Sequence, residues 1–66
     1  MVRYGIIGVG AMGREHAENL RHIEGASVTA ISDPDEGSRS LAVTQLGDSA
    51  KVFTDHKDLL NSGLID

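Results

Sequence analysis

The spacing of glycines near the start of this chain limits its fold more than any other feature. Gly8-Val9-Gly10-Ala11-Met12-Gly13 spell G-x-G-x-x-G directly after the apolar run Tyr4-Gly5-Ile6-Ile7. The hydrophobic period changes across that segment. Val2 to Ile7 is apolar at consecutive positions, which predicts a strand buried on both faces, as in a parallel sheet. From Ala11 to about Ile23 the period is helical: Met12, His16, Ala17, Leu20 and Ile23 form one stripe, with Arg14, Glu15, Glu18 and Arg21 toward water. Glu24-Gly25 closes that helix, with Gly25 in a C-terminal capping role.

The same alternation then repeats. Ala26 to Ser32 reads as a second strand with Val28, Ala30 and Ile31 as its apolar content. Asp33-Pro34-Asp35 is a turn opening a second helix, since Pro suits a first helical turn and Asp the positive helix end. That helix packs through Leu41 and Leu46 and stops at Gly47-Asp48. Lys51-Val52-Phe53 is a short third strand. Thr54 or Asp55 caps a last helix carrying Leu59 and Leu60, which ends at Asn61-Ser62-Gly63. Leu64-Ile65-Asp66 has the character of an approach to a fourth strand. Strands recur about every 24 residues, the pitch of successive βα units. Right-handed crossovers order them 3-2-1. The fold class expected is α/β: a βαβαβα half of a Rossmann fold over residues 1–66, with a three-stranded parallel sheet.

Each glycine has its own task in such a joint. Gly8 permits the tight turn off the strand, Gly10 removes a Cβ where a pyrophosphate would approach, and Gly13 lets helix and strand pack closely. The backbone N–H groups near Ala11, Met12 and Gly13 lack partners within the helix and carry partial positive charge, which suits a diphosphate. Asp33, twenty residues beyond Gly13 and at the end of strand two, is placed to accept both hydroxyls of an adenosine ribose and to repel a 2′-phosphate. The cofactor expected is therefore NAD, bound at Gly8, Gly10, Ala11, Met12, Gly13 and Asp33. Arg39, six residues further on, keeps NADP as the alternative. The competing role for Asp33 is to cap the second helix, and the two roles are compatible.

Other readings fit less well. A P-loop needs G-K-[ST], and Gly13 is followed by Arg14. A methyltransferase turn often carries an acid just before its glycines, where this chain has Tyr4-Gly5-Ile6-Ile7. Ten acidic against six basic residues, net −4, argue against a nucleic-acid partner. No apolar run approaches the length of a membrane span. With no Cys and with His16, His22 and His56 scattered, no metal site is expected. His16 is expected to pack on the apolar stripe, and His22 and His56 to face solvent. Four glycines interrupt the N-terminal apolar stretch, so it does not read as a signal peptide, and the cytoplasm is the expected location.

The residues from Tyr4 to His16, then Ser32-Asp33-Pro34-Asp35, then Val52-Phe53-Thr54-Asp55 with Leu59-Leu60 and Leu64-Ile65-Asp66, resemble the opening of the glucose–fructose oxidoreductase / inositol dehydrogenase family. The G-x-x-H after the glycine loop and the aromatic-x-Asp-x-x-x-Leu-Leu stretch are the more distinctive parts. The resemblance spans all 66 residues. It implies an NAD(P)-binding fragment of an oxidoreductase acting on sugars, inositols and related polyols. Members are several times longer. Their Glu-Lys-Pro motif, catalytic Asp/His pair and substrate domain lie beyond residue 66, so no catalytic residue and no turnover are expected of this chain alone. An alternative follows from the sheet. Strand one would be an open edge, through which two copies could pair as a symmetric homodimer and rebuild a six-stranded sheet.

Overall fold

The computed structural model describes all residues from Met1 to Asp66. The elements alternate as expected: β1 (Val2–Ile7), α1 (Ala11–Arg21), β2 (Ala26–Ser32), α2 (Glu36–Leu46), a 3-10 turn at Gly47–Ser49, β3 (Lys51–Phe53) and α3 (His56–Leu60). Both strand pairings are parallel, and β2 lies between β1 and β3. The sheet order is therefore 3-2-1.

A bulge sets which side chains share a face. Tyr4 pairs with Val28 but Gly5 pairs with Ala30, so Thr29 is the extra residue on β2. This lets Val28 and Ile31, three residues apart, join Val9, Ala17 of α1 and Ala42 of α2 in one buried cluster. The opposite face takes α3. A Cβ on Gly5 would lie 3.0 Å from Leu59 and 2.8 Å from Ile65, whereas Gly13 of α1 lies over Ile6. Adjacent strand residues point to opposite faces, so α1 and α2 cover one side and α3 the other. Leu59 is fully buried there.

Packing departs from the expected stripes in a consistent way. On α1 the buried positions are Gly13 and Ala17 with Leu20 half-buried, while Met12 is 66% exposed, Ile23 54%, and His16 also faces outward. The expected packing role of His16 is thus corrected. On α2 the buried residue is Ala42, with Leu46 half-buried and Leu41 exposed. On α3, Leu60 is exposed beside buried Leu59. On α1 and α2 the small residues meet the sheet, because close approach of backbones leaves no room for larger ones, whereas α3 is anchored by Leu59.

Strand β1 is also less covered than expected. Val2, Tyr4 and Ile7 are each more than two-fifths exposed, because β1 pairs with β2 on one side only and α1 covers it mainly near Ile6. Its other edge is engaged at one point: Asp66 N–H donates to the Arg3 carbonyl at 2.8 Å. Arg3 returns its own N–H to the Asp66 carboxylate at 2.8 Å and adds two guanidinium bonds to it. Helix α1 ends at Arg21, sooner than the sequence suggests; Gly25 then takes φ +85 in the following turn rather than capping the helix itself.

Candidate functional site

The glycine joint is built as its spacing requires. Gly8 has φ +90, a left-handed backbone that a side chain would strain, and its N–H donates to the Ser32 carbonyl at 2.8 Å. That bond fastens the end of β1 to the end of β2. A Cβ on Gly13 would meet the Gly8 carbonyl oxygen at 1.9 Å, so only glycine allows α1 to start this close to β1. A Cβ on Gly10 would have nothing within 4 Å. Gly10 is therefore not needed for packing within the chain.

Helix α1 begins differently from α2 and α3. Asp35 caps α2, its side chain accepting from Ser38 N–H at 2.8 Å, and Asp55 caps α3 through Lys57 N–H at 2.8 Å. Each of those helices also has an acid in its first turn, Glu36 and Asp58. Bonding by Ser38, through its backbone N–H first, holds the Asp35 carboxyl below the usual carboxylate range. By contrast α1 is capped by Gly10, which offers no side-chain acceptor, and has no acid in its first turn. Its N–H groups at Ala11, Met12 and Gly13 keep their full partial positive charge.

Asp33 stands beside that end. Its carboxylate accepts from Val9 N–H at 2.9 Å through one oxygen and from Asp35 N–H at 2.8 Å through the other. The role of α2 cap falls to Asp35, not Asp33. Arg39 donates to the Asp33 backbone carbonyl at 2.8 Å, and Arg14 donates to the Val9 carbonyl at 3.3 Å. A cleft of about 410 Å³ opens along this end of the sheet, between Ile7 and Gly8 at the end of β1, Ser32 and Pro34 at the end of β2, and Thr54 to His56 after β3. Parallel α/β sheets bind ligands at these C-terminal strand ends. A second cleft, about 350 Å³, lies at the opposite end among Leu20, Ala26, Val28 and Leu46.

Sequence reasoning missed Ser32. Its hydroxyl is buried and has no hydrogen-bond partner in the chain, and the residue borders the first cleft. The alternation of β2 could have flagged it, since it shares the cleft-side face with Ile7, its pairing partner. The bond from Val9 N–H to Asp33 was also missed, because it depends on the approach of segments 24 residues apart.

Residues 2–66 match the family model described as an oxidoreductase family with an NAD-binding Rossmann fold. The chain belongs to this family. Among curated relatives of this chain, inositol 2-dehydrogenase/D-chiro-inositol 3-dehydrogenase of Lacticaseibacillus casei is 40% identical over 67 residues, covering 100% of this chain and 19% of the relative. Inositol 2-dehydrogenase 2 of Paenarthrobacter aurescens is 41% identical over 98% of this chain and 19% of the relative. The crystal structure of myo-inositol dehydrogenase from Lactobacillus casei in complex with NAD(H) and myo-inositol superposes with a TM-score of 0.89 at 40% identity, over 100% of this chain and 20% of that one. That of scyllo-inositol dehydrogenase from the same organism, with bound NAD(H) and scyllo-inositol, gives 0.86 at 28% identity, over 100% and 19%. The chain thus spans about a fifth of the length of the relatives it matches. No helix is long and apolar enough to cross a membrane.

Proposed function

We propose that residues 1–66 form the NAD(P)-binding Rossmann half-domain of a dehydrogenase acting on an inositol or related polyol, and that they hold the ADP-ribose part of NAD. The observation that carries this reading is the uncapped start of α1, facing open space at Gly10 in a family whose fold is NAD-binding. The diphosphate sits on the N–H groups of Ala11, Met12 and Gly13, with Gly8 and Gly10 giving it room. Asp33 receives the ribose hydroxyls on the lone pairs its backbone donors leave free. A carboxylate fixed by two backbone bonds cannot swing away from a 2′-phosphate, which favours NAD over NADP. When bound, the nicotinamide ring supplies or accepts the hydride; the residues named here bind and orient the other half of the molecule.

The experiment is a titration of the isotope-labelled chain with ADP, NAD and NADP, following backbone amides. ADP and NAD shift the resonances of Gly8 to Gly13 at millimolar concentration or below, and NADP binds more weakly. No shift with any of them at millimolar ligand would end the proposal.

A second reading is self-association through β1, favoured by the exposure of Val2, Tyr4 and Ile7 on the strand whose outer edge is engaged only near Arg3. Light scattering decides it: twice the chain mass supports the homodimer, and a monomer at all concentrations rejects it.

A further inference from the structure

Val9, the first variable residue of the glycine loop, is fixed at three points. Its side chain is 1% exposed in the core between α1 and α2. Its carbonyl accepts from Arg14 at 3.3 Å, and its N–H donates to Asp33 at 2.9 Å. The Asp33 bond is unlike the other two, because it comes from the very carboxylate assigned to the ribose. That carboxylate is itself immobile: Asp35 N–H holds its second oxygen at 2.8 Å, and Arg39 holds the Asp33 carbonyl at 2.8 Å. The glycine loop is therefore tied to the end of β2 by one charged group beside the backbone bond from Gly8 to Ser32.

We infer that Asp33 is a positioning residue for the diphosphate subsite as well as the acceptor for the ribose, so that the two subsites are coupled through one side chain. The inference rests on the nucleotide-binding reading above. An ionised carboxylate offers about four lone-pair sites, of which two are taken by Val9 and Asp35. The remaining two suffice for two ribose hydroxyls, so ribose binding does not require the Val9 bond to break. Bonds from a charged acceptor to a backbone N–H are among the stronger hydrogen bonds in proteins. Losing this one leaves Val9 held only by its buried side chain and the Arg14 bond, and slackens the aim of the N–H groups that follow.

The two roles predict opposite signs for one measurement. The probe is 2′,3′-dideoxy-ADP, which keeps the diphosphate and lacks the ribose hydroxyls. If Asp33 serves only the ribose, Asp33→Ala removes a negative charge from beside a polyanion, and this probe binds equally well or more tightly. If Asp33 positions the loop, the probe binds about tenfold more weakly to the variant, the loss expected of one charge-assisted bond. ADP itself then loses more than the probe does, since it forfeits the ribose bonds too.

A second measurement needs no variant. In the unsubstituted chain, a scalar coupling across the hydrogen bond, between the Val9 amide nitrogen and the Asp33 carboxylate carbon, is expected and persists when ADP is added. Absence of that coupling, or unchanged or tighter probe binding to a folded Asp33→Ala chain, overturns the inference while leaving nucleotide binding intact. Failure of the unsubstituted chain to bind ADP at all overturns both.

Discussion

Gly13→Ala gives the sharpest test of how the glycine joint is assembled. A methyl group there would sit 1.9 Å from the Gly8 carbonyl oxygen and 2.9 Å from its carbon. The obstacle is backbone, so no side-chain rotation relieves it, and α1 must retreat from β1 by about 1 Å. Overpacking of this kind costs about 1–3 kcal/mol, and a rigid carbonyl puts this case near the upper end. Alanine returns about 1 kcal/mol of helix propensity. The net destabilisation is then about 2 kcal/mol, against a total of roughly 3–10 kcal/mol for a domain this size. Urea unfolding followed by circular dichroism is the assay. With a slope near 1 kcal/mol per molar urea, the midpoint falls by about 2 M. A Gly13→Ala chain as stable as the original, or more so, would refute the close approach of α1 to Gly8.

Gly10→Ala is the counterpart: with nothing within 4 Å of the new methyl, the urea midpoint shifts by no more than about 0.5 kcal/mol equivalent, while calorimetric ADP affinity falls at least about tenfold because the methyl occupies the diphosphate approach. Leu59→Ala removes the fully buried anchor of α3 and costs about 3 kcal/mol; an unchanged unfolding midpoint would contradict its position under the sheet. Asp66 is held below its ordinary 3.8 by hydrogen bonding to the Arg3 side chain first and its backbone N–H second. A depressed folded value stabilises the fold above pH 3.8 and is lost as pH falls through the folded value, so melting temperature should drop in that acidic window. In Asp66→Asn that part of the drop disappears, and a drop of undiminished size in the variant would assign the acid sensitivity elsewhere.

Much of this architecture is legible in the chain itself, and the reason is physical. Strand bounds at Val2–Ile7, Ala26–Ser32 and Lys51–Phe53 follow from short apolar runs cut by glycine or turn residues, a local signal. Gly8 and Gly13 announce their tasks because no other residue tolerates φ +90 or a carbonyl in the place of a Cβ. Helix faces were less legible. Of the stripe Met12, His16, Ala17, Leu20 and Ile23 on α1, Ala17 and Leu20 do pack inward, but Met12, His16 and Ile23 do not, because tight packing against a sheet selects small residues such as Gly13 and Ala17; Ala42 displaces Leu41 on α2 for the same reason. The bond from Val9 to Asp33 joins residues 24 apart and leaves no periodic trace. The buried hydroxyl of Ser32 was hidden by its ordinary place at a strand end.

Docking of a nucleotide diphosphate on the uncapped start of α1, as proposed, is tested most directly by titrating the isotope-labelled chain with ADP. Saturable amide shifts are expected at Gly10, Ala11, Met12 and Gly13, with a smaller effect at Asp33 and almost none at Ser27 or Ser49, which line the cleft at the far end of the sheet. Shifts centred on that far cleft instead, with Gly10 to Gly13 unmoved, would contradict it.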